Sequence, residues 1–148
     1  MNDGASSFVD TNVLLYSLDV RSDKKRQHAR EWKSLLWGCG RGRLTWQVIH
    51  EFFSNSTRKL TPVEARQAVA EFVLWGPGEI GFRVIERAWH WMDAAQVSYW
   101  DDLILASAEQ AGCKYLLSED FQAGRTYGEV TVVNPFQQSP AESGLGTL

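Results

Sequence analysis

Three short apolar runs restrict the fold of this chain more than any other feature of its sequence. They are Ser7-Phe8-Val9, Tyr115-Leu116-Leu117 and Val130-Thr131-Val132-Val133. Continuous runs of apolar, β-branched or aromatic residues are typical of strands that are covered on both faces, as in a parallel sheet. Helical patterns separate the first run from the other two. This order predicts an α/β fold with a central parallel β-sheet, flanked by helices and joined by right-handed crossovers.

The segments between these runs carry apolar residues at helical spacing. Thr61-Pro62-Val63-Glu64 predicts a helix start, because Thr can cap free amides, Pro suits the first helical position and Glu completes a capping box. Ser98 opens a later helix in the same way, and that helix is expected to end at Gly112. A short strand is predicted at Leu44-Thr45. Four other helices are predicted from such patterns. They carry Val13 to Tyr16; Ala29, Trp32, Leu35 and Leu36, ended by the Gly-rich break Gly38-Cys39-Gly40; Ile49, Phe52 and Phe53; and Ile85, Ala88, Trp89 and Met92.

A length of 148 residues fits one domain with a single core. We expect this domain over residues 1–136, followed by a polar, Gly/Ser-rich and flexible tail over 137–148. No apolar run approaches the roughly 20 residues that span a bilayer, and the first residues resemble no signal peptide. These features predict a soluble, cytoplasmic protein without a membrane partner. In such a protein Cys39 and Cys113 are expected to be reduced and structural.

The formal net charge of -3 is unusual for a nucleic-acid binder, but total charge says little when the charges are segregated. Basic residues crowd one segment and recur nearby, at Lys24, Lys25, Arg26, Arg30, Lys33, Arg41, Arg43, Arg58 and Lys59. Cations held by clustered acids would also neutralise part of the negative total. The first basic segment has two interpretations, a solvated helix face or a surface for phosphates, and charge alone does not decide between them.

Two acids stand where parallel strands are predicted to end. Asp10 follows the first strand, and Asp120 follows the strand that ends at Leu117. In open α/β sheets, ligands bind beyond the carboxyl ends of the strands. Asp101 lies in the first turn of its helix, where the helix dipole favours a carboxylate, and Glu51 lies among apolar residues of another helix. The four acids can therefore share a site, but each also has a simpler explanation as a cap, a turn residue or a surface residue.

Converging carboxylates in a buried site repel one another and require a compensating cation. Ligand sets made only of oxygen favour Mg²⁺ or Mn²⁺ over zinc. Two such ions about 4 Å apart can hold the attacking and leaving oxygens of a phosphodiester displacement. If the four acids share a site, the expected chemistry is metal-dependent hydrolysis of a phosphate diester.

Five segments of the chain resemble motifs of the PIN-domain family. They are Phe8-Val9-Asp10-Thr11-Asn12-Val13-Leu14, Gln47-Val48-Ile49-His50-Glu51-Phe52, Ser98-Tyr99-Trp100-Asp101-Asp102-Leu103-Ile104, Leu117-Ser118-Glu119-Asp120-Phe121 and Val133-Asn134-Pro135-Phe136. No one motif is specific, but their order and spacing resemble the family over nearly the whole chain. Within the family, the chain most resembles the VapC-type toxins, the ribonuclease halves of bacterial toxin–antitoxin pairs.

The resemblance implies a three-layer PIN fold, dependence on Mg²⁺ or Mn²⁺, cleavage of RNA, inhibition by a cognate antitoxin protein and assembly as a homodimer. Carried over by position, the catalytic and metal-binding roles fall to Asp10, Glu51, Asp101 and Asp120. Supporting polar roles, in orienting carboxylates or a water molecule, fall to Thr11, Asn12 and Ser118.

The acids next to the third and fourth motifs leave the ligand set open. Asp102 departs from the family pattern, which more often has Ala or Ser there, and we expect it to point along the helix to solvent. Asp101 is the expected ligand because Leu103-Ile104 follows it at the family's offset, but Asp102 remains an alternative. Glu119 is a further acid near the site and is expected to face outward.

Two residues beside the acids have structural and functional interpretations. Trp100 could stack on a base, but we expect it in the core or in a dimer interface. His50 precedes Glu51 and points about 100° away from it on a helix, so we expect it to be structural.

Two other functions are compatible with parts of the pattern. A phosphatase of the haloacid dehalogenase type uses a nucleophilic Asp after its first strand, but it needs a second Asp where this chain has Asn12. A PIN-fold module that binds RNA or protein without cleavage is the alternative to a nuclease. Its signature would be the loss of one or more acids, and all four are present here.

Overall fold

In the computed structural model, residues 4–95 and 97–144 are described. They contain strands β1 (Ser7–Val9), β2 (Gly42–Arg43), β3 (Tyr115–Leu117), β4 (Thr126–Tyr127) and β5 (Val130–Val133). The helices are α1 (Thr11–Tyr16), α2 (Asp23–Cys39), α3 (Trp46–Ser56), α4 (Pro62–Val73), α5 (Phe82–Ala95) and α6 (Tyr99–Gln110). Helices separate β1, β2 and β3, as the sequence predicted, whereas β3, β4 and β5 follow one another without a helix.

The described strands form one five-stranded sheet in the order β2-β1-β3-β5-β4. β1 pairs in parallel with β2 and β3, and β3 pairs in parallel with β5. Phe8 of β1 and Leu116 of β3 are fully buried, as expected for strands covered on both faces. The predicted α/β fold, a mostly parallel sheet flanked by helices, is confirmed.

The antiparallel edge strand β4 is absent from the sequence prediction. It pairs with β5 through Thr126 and Tyr127 alone, and Gly128, with φ 60°, lies in the short turn between the two strands. Two residues are too few for a strand pattern, so the pairing with β5 defines this strand rather than its own sequence.

The strand predicted at Leu44-Thr45 is wrong by two residues. The structure has β2 at Gly42–Arg43, paired with Ser7 and Phe8 of β1. Leu44 is instead buried in the core, and Thr45 makes an isolated bridge to Gly78. The apolar pattern marked the buried residue, whereas pairing with β1 decided the strand.

The predicted helix ends are largely confirmed. The Thr61 hydroxyl accepts a hydrogen bond from the Glu64 amide at 3.2 Å, and the Glu64 carboxylate accepts one from the Thr61 amide at 2.9 Å. The Ser98 hydroxyl caps α6 by accepting from the Asp101 amide at 3.2 Å. Helix α2 ends at Cys39, and the next residue, Gly40, takes a left-handed conformation with φ 70°. The helix therefore ends within the predicted Gly-rich break.

The predicted buried stripe of α5 is partly wrong. Val84, Ala88 and Trp91 face the protein, whereas Trp89 and Met92 are 49% and 44% exposed. The Trp91 indole nitrogen donates a hydrogen bond to the carboxylate of Glu109 on α6. Both faces of α5 are apolar in sequence, and this contact with α6 decides which one is buried.

The tail predicted over residues 137–148 contacts a helix of the domain. Within the predicted tail, the indole nitrogen of Trp32 donates to the carbonyl of Gln138 at 3.0 Å. Residues 1–3 and 145–148 lie outside the described part, and the boundary at residue 136 stays a prediction.

Cys39 and Cys113 are both free thiols, and burial raises the pKa of Cys113 to about 12. No helix in the described ranges is long and apolar enough to cross a bilayer.

Gly42→Ala should lower the free energy of unfolding by about 1–3 kcal/mol. A methyl group at this position of β2 would overlap the indole ring of Trp75. That ring is stacked on Trp37, with ring centroids 5.8 Å apart, which limits its movement. Gly38→Ala in α2 is the matched control, because nothing lies within 4 Å of the added carbon and alanine favours a helix. Urea unfolding compares the two variants, and equal stability would contradict this packing.

Candidate active site

Four acids come from four different parts of the fold and act on one another electrostatically. Asp10 lies directly after β1, Asp120 after β3, Asp101 in the first turn of α6 and Glu51 within α3. The charge of Asp101 raises the pKa of the other three, and the charge of Asp120 raises the pKa of Asp10 and Glu51. Hydrogen bonds also connect them, because Ser118 contacts both Asp10 and Asp120, and adjacent residues of α1 contact Glu51 and Asp120. These predicted site residues lie near one another and are here called the acid cluster.

Asp10 is the most buried member of the acid cluster, at 4% exposure. Its amide donates to the carbonyl of Leu117 at 3.1 Å, which continues the pairing of β1 with β3 beyond the last strand residue. Oδ1 accepts from the Thr11 amide at 2.7 Å and Oδ2 from the Ser118 hydroxyl at 2.8 Å. Burial raises the pKa of Asp10 to about 7, with smaller contributions from Asp120 and Asp101.

Glu51 and Asp120 each accept a hydrogen bond from a side chain of α1. The Thr11 hydroxyl donates to Oε1 of Glu51 at 3.0 Å, and the Asn12 amide donates to Oδ2 of Asp120 at 2.7 Å. Half-burial raises the pKa of Glu51, and partial desolvation raises that of Asp120. The three predicted supporting residues thus each donate to a carboxylate. Their catalytic roles stay predictions.

No positively charged side chain in the described residues compensates the acid cluster. None of the ion pairs formed there includes one of its four members. Carboxylate oxygens without a cationic partner suit a hard divalent cation, so the donor set fits Mg²⁺ or Mn²⁺. As the side chains stand, however, no three His, Cys, Asp or Glu residues among those described are grouped closely enough to hold one ion. Metal binding therefore stays a prediction.

The expectation that Asp102 points to solvent is wrong. Its side chain is fully buried, and neither carboxylate oxygen has a hydrogen-bond partner among the described residues. Burial raises the pKa of Asp102 to about 6, and the charge of Asp101 adds to this shift. All residues from 102 to 108 are buried, because α6 packs against α5 and against β3 and β5, so the helix has no solvent face there.

Asp101 and Asp102 also differ in their relation to the acid cluster. Asp101 interacts electrostatically with all three other members, whereas the described interactions of Asp102 include only Asp101. This difference favours Asp101 as the ligand of the pair.

Compared with known protein families, the chain matches the PIN domain over residues 7–129. The chain belongs to the PIN domain family. The match includes the whole acid cluster. PIN domains are generally nucleases and typically use a divalent metal. A comparison with curated proteins finds no match.

The basic residues of this PIN domain are largely engaged in contacts within the chain. Lys25 forms an ion pair with Glu119 at 2.9 Å, with side-chain exposures of 41% and 23%, so Glu119 is partly exposed and paired with a cation. The Arg30 guanidinium donates to the carbonyl of Ser17 at 3.0 Å, and Lys33 reaches the hydroxyl of the same residue at 3.4 Å. The segment is thus neither a fully solvated helix face nor a free surface for phosphates.

Sequence reasoning missed Trp46 and Gln47, which lie beside the acid cluster of the PIN domain, and expected Trp100 in the core or in a dimer interface. Trp100 is 61% exposed, so it is not in the core of this chain. His50 is exposed and, together with Trp46, lines a groove next to Glu51, rather than packing inside the protein. Gln47 joins the two regions, since its amide donates to the Trp100 carbonyl at 3.1 Å and lies 3.5 Å from Oε1 of Glu51. The sequence signal for Gln47 was its distance of four residues from Glu51, because residues four apart share a helix face.

The metal-free PIN domain should lose stability as the pH rises from about 4 to about 7. The pKa of Asp10 is raised from 3.8 to about 7, so the folded state retains a proton that the unfolded chain releases in this range. The stabilisation is complete below the unfolded pKa and is lost as the pH rises through the folded one. Asp10→Asn should reduce this dependence to the part that Asp102, Glu51 and Asp120 contribute through their own raised pKa values, and it should stabilise the protein above pH 7 by ~2–4 kcal/mol.

Urea unfolding in the presence of a chelator, measured across this pH range, checks the effect. Asp93→Asn is the control, since it makes the same chemical change at an exposed position of α5. Parallel curves of stability against pH for wild type and Asp10→Asn would show that Asp10 is not the group responsible.

Proposed function

We propose that this PIN domain is a Mg²⁺- or Mn²⁺-dependent endoribonuclease that hydrolyses phosphodiester bonds in RNA. The main support is the acid cluster, in which carboxylates from four parts of the fold meet without a cation from the described chain. Mutual repulsion in a partly buried site is relieved when a divalent cation binds. The family match supports the nuclease activity in general terms.

The chain's own residues prepare the site for such an ion. Asp10 is held at both oxygens, by the Thr11 amide and the Ser118 hydroxyl, so it is the most rigid of the proposed ligands. Glu51 and Asp120 are each held at one oxygen, which leaves the other available. When bound, the ion supplies positive charge to the scissile phosphate and to the attacking water.

We further infer that the protein is a VapC-type toxin that acts in the cytoplasm and is inhibited by a cognate antitoxin protein. The motifs around the acid cluster, from Phe8 to Phe136, support this assignment. A homodimer is part of the same proposal. Its support is the outer face of α5, where Phe82, Trp89 and Met92 are 63%, 49% and 44% exposed. Contiguous apolar surface of this kind is typical of protein interfaces.

A PIN-fold module that binds RNA or protein without cleaving it is the second candidate. The observation in its favour is the spacing of the acids, because no three of the described ones are grouped for a single ion. Activity and metal binding separate the two functions, and the next two predictions test them.

Asp10→Asn should lower metal-dependent RNA cleavage by at least about 100-fold while the protein stays folded. Ser118→Ala should have a smaller effect, about 10- to 100-fold, because this residue orients a ligand without being one. Asp93→Asn on α5 is the matched control and should cleave at the wild-type rate. Rates on a panel of structured RNAs with Mg²⁺ or Mn²⁺ provide the measurement. Wild-type cleavage by Asp10→Asn would refute the proposed site.

Mg²⁺ or Mn²⁺ should raise the melting temperature of the wild-type protein, because an ion that binds only the native state stabilises it. At 100 times the dissociation constant the gain is about 2.7 kcal/mol. The shift should shrink in Asp101→Asn, and potassium chloride at equal ionic strength should not reproduce it. Thermal unfolding with and without a chelator measures it. An unchanged melting temperature at millimolar ion would favour the module without cleavage.

A further inference from the structure

A groove of about 650 Å³ opens next to the acid cluster. Glu51 belongs to both, so the groove begins where the proposed cleavage site ends. Trp46 from the start of α3 and Tyr99 and Trp100 from the start of α6 line it, together with Ile80. A ligand held in this groove would lie beside whatever the acid cluster binds.

Trp100 is the exposed ring of this aromatic lining, whereas Trp46 and Tyr99 are half-buried and pack against the hydrophobic core. Trp100 is 61% exposed, and its ring meets that of Tyr99 edge to face, with centroids 5.5 Å apart. An exposed indole ring such as that of Trp100 suits the stacking of a flat π system, and base–aromatic stacking tolerates any base. The lining therefore offers a stacking platform.

The polar groups of the groove favour an uncharged ligand part with N–H donors. The carboxylates of Glu51 and Glu79 line it, and they would repel a phosphate group. Gln47 also lines it and is 9% exposed, and its side-chain oxygen has no hydrogen-bond partner among the described residues. A buried acceptor without a partner costs free energy, which an N–H group of a ligand would recover.

We propose that this groove, lined by Trp46 and Tyr99, binds one unstacked base of the RNA substrate, adjacent to the phosphate at the acid cluster, by stacking on the exposed ring of Trp100. The inference rests on the proposed nuclease function. RNA-binding proteins commonly recognise splayed bases by aromatic stacking and by hydrogen bonds to their edges. The phosphate would then lie at the carboxylates with their cation, and the neighbouring base against the Trp100 ring.

An abasic scan tests the proposal. A single-stranded RNA oligonucleotide that the wild type cleaves is prepared with one abasic ribose at each position around the cut. One position flanking the cut should lower kcat/KM about tenfold, equivalent to about 1.4 kcal/mol of stacking. Trp100→Ala should cleave the intact RNA about tenfold more slowly and should lose its sensitivity to the abasic position. Trp100→Phe should keep part of that sensitivity, because a smaller ring still stacks.

Trp37→Ala is the matched control. Trp37 is 53% exposed but lies on α2, outside the groove, and its loss should leave both the rate and the abasic profile unchanged. A flat abasic profile in the wild type, or an abasic profile that Trp100→Ala retains, would overturn the proposal. So would conversion of a dimer to a monomer by Trp100→Ala with no change in the abasic profile, since the groove would then be a protein interface.

A binding measurement separates failure of this proposal from failure of the nuclease function. Asp10→Asn is titrated with short single-stranded RNA, and the quenching of tryptophan fluorescence is recorded with and without the additional change Trp100→Phe. Quenching that depends on Trp100, in a protein that cleaves no RNA, would support the groove while refuting the nuclease. Metal-dependent cleavage without Trp100-dependent quenching would refute the groove alone.

Discussion

The placement of one carboxylate at the end of a buried strand is the constraint on which the rest of the site depends. Asp10 continues the pairing of β1 with β3 through the carbonyl of Leu117, and this backbone contact sets its side chain beside Ser118. Burial then makes its negative charge unfavourable, and Asp120 and Asp101 add repulsion. The fold offers hydrogen-bond donors to these acids but, in the described chain, no positive charge. A site built in this way is suited to an external cation.

Two helices connect the acid cluster to the groove beside it. The first turn of α6 carries Asp101 and the exposed ring of Trp100, and α3 carries Glu51 and Gln47. The hydrogen bond from Gln47 to the Trp100 carbonyl ties the two helices together at this point. The same backbone segments therefore position the proposed ligands of the phosphate and of its neighbouring base, and a movement of either helix would affect both.

Several basic side chains form ion pairs or hydrogen bonds within the chain, which leaves less positive charge free on the surface. Lys25 forms an ion pair with Glu119, and Lys59 forms one with Asp19, with Nζ 2.8 Å from Oδ2. The Arg30 guanidinium donates a hydrogen bond to the carbonyl of Ser17. With these cations engaged and a net charge of -3, the proposed ions at the acid cluster would be the main source of attraction for an RNA backbone. Base stacking in the groove would add affinity that does not depend on charge.

The sequence by itself determined the features that rest on neighbouring residues: the buried strands β1, β3 and β5, the caps at Thr61 and Ser98, and the acids that follow β1 and β3. Tertiary structure decided the burial of Asp102, the pairing of Lys25 with Glu119 and the side of α5 that carries Trp91. A cap or a strand end is set by contacts within a few residues, so it can be read locally. Which of two apolar helix faces is buried, and whether a charge finds a partner, depends on segments far apart in the chain that meet only in the folded protein.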